Sequence, residues 1–170
     1  MYASAIKYGF FMGCMAIVVT LMIYFIDPSL FGSLSYGFLN MLFMLAVLIL
    51  LGFQARREHK DGFTYTQAFL TLLIIQSVAF VMANMFNYVL YNFIDPNLAD
   101  FIKKTVIENT VNMMQSMGVK GEQLDEVASQ IEKQDMSFGV KQLLTGTGMG
   151  ISVGAVVSVI VGFVLKNRRG

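Results

Sequence analysis

The sequence predicts an all-α polytopic membrane protein, with four transmembrane helices and an extracytoplasmic helical hairpin between the third and the fourth. Three observations carry that fold class. Of 170 residues, 56% are hydrophobic and 14% charged, with a mean hydropathy of +0.64, which is too apolar for a soluble domain of this length. The charges are also segregated: no Asp, Glu, Lys or Arg falls between Lys7 and Asp27, Asp27 and Arg56, Asp61 and Asp95, or Lys141 and Lys166. Each of these stretches can hold a helix that crosses a hydrocarbon core of about 30 Å, which takes about 20 apolar residues. Finally, the runs are continuously apolar and lack the period of two that barrel strands show, so helices are expected.

The first span is expected at about residues 8–26. Only Lys7 precedes it, the apolar stretch is longer than a signal-peptide core, and no A-x-A-like cleavage site follows, so it reads as uncleaved. It stops at Asp27-Pro28, and the second span runs over about 34–53. The third opens at Thr64, where Thr64 and Gln67 form a capping box flanked by Phe63 and Ala68 in the staple positions. It covers about 68–90 within a longer helix and stops at Asp95-Pro96. Residues 95–139 are the polar insertion. Leu98, Phe101 and Ile102, then Val111, Met114 and Met117, recur at helical spacing, as do Leu124, Val127, Ala128 and Ile131, with a break at Gly118 and Gly121. The two apolar faces are expected to pack on each other or on the bilayer interface, or to bind a partner. The fourth span covers about 143–165.

Both prolines follow aspartate. Proline ends the helix before it, and Asp-Pro is a good N-cap and first-turn pair for the next element, so Asp27, Pro28, Asp95 and Pro96 read as helix caps at the outer interface. The two sites sit in a repeat, Phe25-Ile26-Asp27-Pro28-Ser29-Leu30 and Phe93-Ile94-Asp95-Pro96-Asn97-Leu98. Gly52-Phe53 before Arg56-Arg57 likewise matches Gly162-Phe163 before Arg168-Arg169. The pattern fits either a duplication into two parallel helix pairs, the second carrying the insertion, or convergence on the same boundary chemistry.

Cations set the orientation. Lys7, the loop residues Arg56, Arg57 and Lys60, and the tail residues Lys166, Arg168 and Arg169 fall on one side, whereas the first loop has no Lys or Arg and residues 95–139 are predominantly acidic. The positive-inside rule puts both termini in the cytoplasm and the hairpin outside.

Two features stand out inside the spans. Gly146, Gly150, Gly154, Ser158 and Gly162 recur every fourth residue, a small-residue seam that lets another helix approach closely. Its expected partner is either another helix of this chain, for which Gly9 and Gly13 of the first span are one candidate, or a second copy of the chain. In the third span Gln76, Asn84, Asn87 and Tyr91 share one face, which serves either as hydrogen-bonding glue between helices or as a hydrophilic path for a solute.

Several functions are argued against. The lone Cys14 and lone His59 offer no zinc, haem or iron-sulfur ligand set, so no cofactor is expected. A net charge of +1 with no basic stripe gives no field for nucleic acid. No carboxylate pair, Ser-His or Cys-His arrangement or phosphate-cradling loop lies in or beside the spans; Gly146-Thr147-Gly148-Met149-Gly150 has neither the lysine nor the preceding strand of a phosphate loop.

Asp61-Gly62-Phe63-Thr64-Tyr65-Thr66-Gln67-Ala68-Phe69, Tyr91-Asn92-Phe93-Ile94-Asp95-Pro96 and Met136-Ser137-Phe138-Gly139 before the last span together resemble the bacterial membrane family called domain of unknown function 4199. Where that family tends to have Gly-Gln-Ala-Phe, this chain has Thr66-Gln67-Ala68-Phe69. The resemblance implies four spans in an inner membrane and brings no activity, substrate or catalytic residue with it. The function expected is that of a non-enzymatic membrane protein that works by homo-oligomerisation or as an accessory subunit, with the bilayer and another membrane protein as partners. The alternative is a small transporter or channel subunit that uses the polar face of the third span.

Overall fold

The computed structural model describes residues 2–58, 62–119, 121–133 and 138–166. Within them the chain forms α1 (Tyr2–Ile26), a short 3-10 turn (Pro28–Gly32), α2 (Leu34–Arg57) and α3 (Tyr65–Val89), which continues through a π-helical turn at Leu90–Ile94. These are followed by α4 (Leu98–Ser116), α5 (Glu122–Glu132) and α6 (Val140–Leu165). Four of these helices, counting the π turn with α3, are long and apolar enough to cross a membrane. No more than 28% of any span's most apolar stretch is buried, so most of the apolar surface, such as Phe10, Phe38, Met149 and Ile160, needs lipid around it. The chain is a multi-pass membrane protein.

Local chemistry sets the ends of the helices. Asp27 is extended (φ −159°, ψ 93°), as a residue before proline must be, and its carboxylate accepts from Ser29 N at 3.0 Å and Ser29 Oγ at 2.6 Å. Ser33 caps α2 by accepting from Tyr36 N. The capping box of α3 is complete: Gln67 N donates to Thr64 Oγ1 at 3.3 Å and Thr64 N donates to Gln67 Oε1 at 2.9 Å. Phe63 and Ala68 beside it are both buried. At the end of α4, Gly118 takes a positive φ of 87°, which glycine adopts without steric cost. Gly118 N then bonds Gln115 O and Val119 N bonds Met114 O, the paired bonds of a Schellman cap.

One expected cap is displaced. Asp95 accepts from Asn97 N at 3.1 Å, and Leu98 N closes back onto Asp95 O at 3.1 Å, so Asp95-Pro96 forms a tight turn of its own. Asn97, with no side-chain cap bond, is the residue that precedes α4. The turn uses up the Asp-Pro pair before the helix starts.

α3 is the central helix and packs on α1, α2 and α6, most extensively on α1 and α6. It runs parallel to α1 and antiparallel to α6, so both Asp-Pro turns lie at one end of the bundle, and Arg56, Arg57 and Lys166 lie at the other. The main core, which includes Leu48, Leu51, Leu72, Ile75 and Leu165, ties α2, α3 and α6 together. A smaller cluster of Leu90, Leu98 and Ile102, with Tyr24 and Phe31 against it, seats α4 across the Asp-Pro end. Every buried residue of α2 lies between Val47 and Ala55. Its first half, Leu34–Ala46, buries none.

Candidate functional site

The seam on α6 meets α3 of the same chain, and not Gly9 and Gly13 of α1. The helices lie in register: a Cβ added at Gly146 would sit 3.5 Å from Asn84 Oδ1, at Gly150 3.0 Å from the Phe80 ring, at Gly154 2.8 Å from Gln76 Oε1, and at Gly162 3.4 Å from the Tyr65 ring. Gly9 and Gly13 belong to a second small-residue contact, on the other flank of α3. A Cβ at Gly9 would lie 2.7 Å from Val78 Cβ and 3.0 Å from Ile75 O, and one at Gly13 would lie 2.7 Å from Met82 Sδ. The reason is composition. Three neighbouring helices cannot all approach a span lined with Phe80, Val78 and Met82 unless they present their own small residues to it.

The polar face of α3 is divided by these contacts. Gln76 is buried, and its Nε2 donates to Ser158 Oγ at 2.9 Å and to Gly154 O at 3.2 Å. Asn84 Nδ2 turns back to Phe80 O at 2.9 Å. Tyr91 lies in the π turn, its ring 5.5 Å from Phe138, and packs against the cluster under α4. Asn87 takes none of these roles. Among the described residues its amide makes no hydrogen bond.

Asn87 lines a cavity of about 220 Å³ between α1, α2 and α3. Thr20 from α1 and Asn40 from α2 join it there, and Asn40 Oδ1 is shielded from solvent with no donor in reach. The walls toward the membrane centre are formed by Met12, Met44, Ala79 and Phe80, with Gln76 the one polar side chain among them. Thr20 and Asn40 were not singled out from the sequence. The signal was present for Asn40, which is the only amide between Leu34 and Phe53; Thr20, whose hydroxyl bonds Ala16 O, gives none.

At the Asp-Pro end, Tyr24 Oη donates to Asp95 Oδ2 at 3.3 Å, which joins α1 to the end of α3. Asn92 Nδ2 reaches Phe138 O at 2.8 Å, and Asn109 Nδ2 reaches Gly32 O at 3.2 Å. The profile of the family described as protein of unknown function (DUF4199) matches residues 7–167. The chain belongs to that family. The matched range takes in α4 and α5 as well as the four spans. No curated protein matches the chain, and no solved structure matches it.

At the opposite end, Arg56 and Arg57 form the last turn of α2, where cations oppose the negative end of the helix dipole. Tyr8 Oη donates to Glu58 Oε1 at 2.5 Å. Lys166 Nζ lies 4.9 Å from the centre of the Phe163 ring, which in turn lies 4.6 Å from Tyr65. Lys60, Arg168 and Arg169 lie outside the described residues. Among the described residues no group of three or more His, Cys, Asp or Glu is placed to hold a metal ion.

Proposed function

We propose that this family member is a non-enzymatic, multi-pass protein of a bacterial inner membrane that works by association, as a homo-oligomer or as an accessory subunit. Its termini are cytoplasmic and α4–α5 form an extracytoplasmic hairpin that recognises the partner. The single observation behind it is the apolar surface left at the Asp-Pro end. α5 buries no residue and α4 buries only Leu98 and Ile102, while Phe101, Met113 and Met117 of α4 stay exposed. Exposed methionines and aromatics grouped outside the bilayer are a usual composition for a contact surface. The orientation follows from Arg56, Arg57 and Lys166 lying together at the other end. The α6 seam lends no support, since its glycines are occupied within the chain.

A photoreactive amino acid placed at Met117 should give an adduct of defined mass in intact membranes: twice the chain mass for a homo-oligomer, another discrete mass for an accessory subunit. A chain that stays monomeric in native-like discs and gives no adduct from Met117 or Met113 would refute association. The amides lining the three-helix cavity favour a second reading, a small transporter. That reading requires solute flux through reconstituted vesicles above that of empty liposomes.

A further inference from the structure

The cavity between α1, α2 and α3 carries an inference that does not depend on the association described above. Thr20, Asn40 and Asn87 come from three helices, α1 and α3 running one way and α2 the other, yet each lies six to eight residues from the Asp-Pro end of its own helix. At 1.5 Å per residue they share one level, about 9–12 Å in from that end. Two of the three are amides with no hydrogen-bond partner among the described residues, and Asn40 Oδ1 is already cut off from solvent. An unpaired amide at membrane depth is costly. Four packed helices of otherwise apolar composition have no evident reason to bring two of them to one place.

The shape of the cavity limits the occupant. From Met12 to Thr20 its wall extends about 12 Å along α1, so the volume of about 220 Å³ is drawn out along the helices, a slot that suits an extended chain better than a compact head group. Among the described residues no Asp, Glu, Lys, Arg or His lines it, so the occupant is neutral. At its inner end the Gln76 Nε2 is already committed to Ser158 and Gly154, which leaves only the Gln76 Oε1, an acceptor beside Gly154. Donors free to bind an occupant are thus confined to the end near the Asp-Pro turns. There the amides present both an unpaired acceptor and unpaired donors, a set that one hydroxyl group can satisfy. The first half of α2, with no buried residue, leaves the slot open along its side. α4 lies across the adjoining end, held by Asn109 to Gly32 O, so the route in is lateral, from the bilayer.

We propose that this slot binds a neutral single-chain amphiphile with a hydroxyl head, the hydroxyl between Asn40 and Asn87 and the chain running toward Met12 and Ala79. The probe is a photoreactive long-chain alcohol added to the full-length protein in phosphatidylcholine discs, with adducts mapped by peptide mass. Labelling is expected on peptides that contain Asn40 and Ala83, saturating with dose and competed by the unlabelled alcohol but not by the matched alkane. Asn87→Leu should weaken the apparent affinity about tenfold, the equivalent of one hydrogen bond to the head. Ala83→Phe should abolish labelling by filling the slot with both amides intact. Both variants must elute and melt like the wild type; Asn40→Leu replaces either one that does not. Labelling that fails to saturate, equal competition by the alkane (a bilayer acyl chain in the slot), or unchanged affinity in Asn87→Leu would each overturn the proposal. So would a slot that takes up only water and gives no adduct.

Discussion

Gly9 and Gly148 both lie inside apolar spans, but they meet different surroundings. A methyl group at Gly9 would run into the branch point of Val78 and a backbone carbonyl, neither of which can move without shifting α3, whereas a methyl at Gly148 meets nothing within 4 Å. Gly154 is intermediate, because the atom in the way is the far end of the Gln76 side chain, which can swing aside at the expense of its bonds to Ser158 and Gly154. Interhelical bonds of that kind are worth about 0.6–1.7 kcal/mol each, and overpacking costs about 1–3 kcal/mol. Alanine substitutions should therefore rank Gly9 as most damaging, Gly154 next, and Gly148 as neutral or slightly stabilising. Unfolding midpoints in mixed micelles measure this order, and a Gly148→Ala loss as large as that of Gly9→Ala would refute the packing described.

The two Asp-Pro sites show how far an identical sequence leaves an element free. In α1, Asp27 N bonds Ile23 O, four residues back, and the helix stays α to its end; in α3, Asp95 N bonds Leu90 O, five residues back, and the last turn widens to π. Phe-Ile-Asp-Pro occurs in both, so the difference lies in what each end packs on. α1 leads into a short 3-10 turn, while the end of α3 holds Leu90 and Tyr91 under α4. The start of α3 is by contrast locally determined. Its capping box satisfies two backbone N–H donors reciprocally, and Thr64 itself is exposed, so Thr64→Ala removes the cap without opening the core. A loss of about 0.5–2 kcal/mol in unfolding free energy is expected, with Thr64→Ser close to wild type. Equal stability of all three proteins would show that the box contributes nothing.

For the whole molecule, α3 is clasped from both sides by small residues, Gly9 and Gly13 on one flank and Gly150 and Gly154 on the other. This arrangement separates the ends of the bundle chemically, Asp27 and Asp95 at one and Arg56, Arg57 and Lys166 at the other. If that separation follows the positive-inside rule, alkaline phosphatase fused after Ser116 should be active, and fused after Lys60 or at Gly170 it should be silent. Activity at Gly170 with silence at Ser116 would invert the proposed topology. Because the α6 seam is occupied internally, any self-association has to use other surfaces, of which the exposed methionines of α4 are the ones outside the spans.

The sequence by itself determined what depends on a residue and its near neighbours along the chain. The four spans follow from charge-free stretches, the α3 cap from Thr64 and Gln67, the stop before each proline from proline's own geometry, and the α4–α5 break from Gly118 and Gly121, both at positive φ. A stripe of small residues also announces a close contact, because Gly146, Gly150, Gly154, Ser158 and Gly162 keep an unbroken step of four along α6. What the tertiary structure alone decided is which surface meets which. The seam does not say which helix it faces, since any of the other spans could lie against a stripe of small residues. A shared face on α3 likewise conceals that Gln76 and Asn87 are about 16 Å apart along the axis and meet different neighbours: Gln76 has Ser158 beside it, and Asn87 has the slot that opens where α2 stops packing. Residues on one helix face share a direction, but their partners depend on depth in the membrane and on the neighbouring helix, which the packing of the whole chain sets.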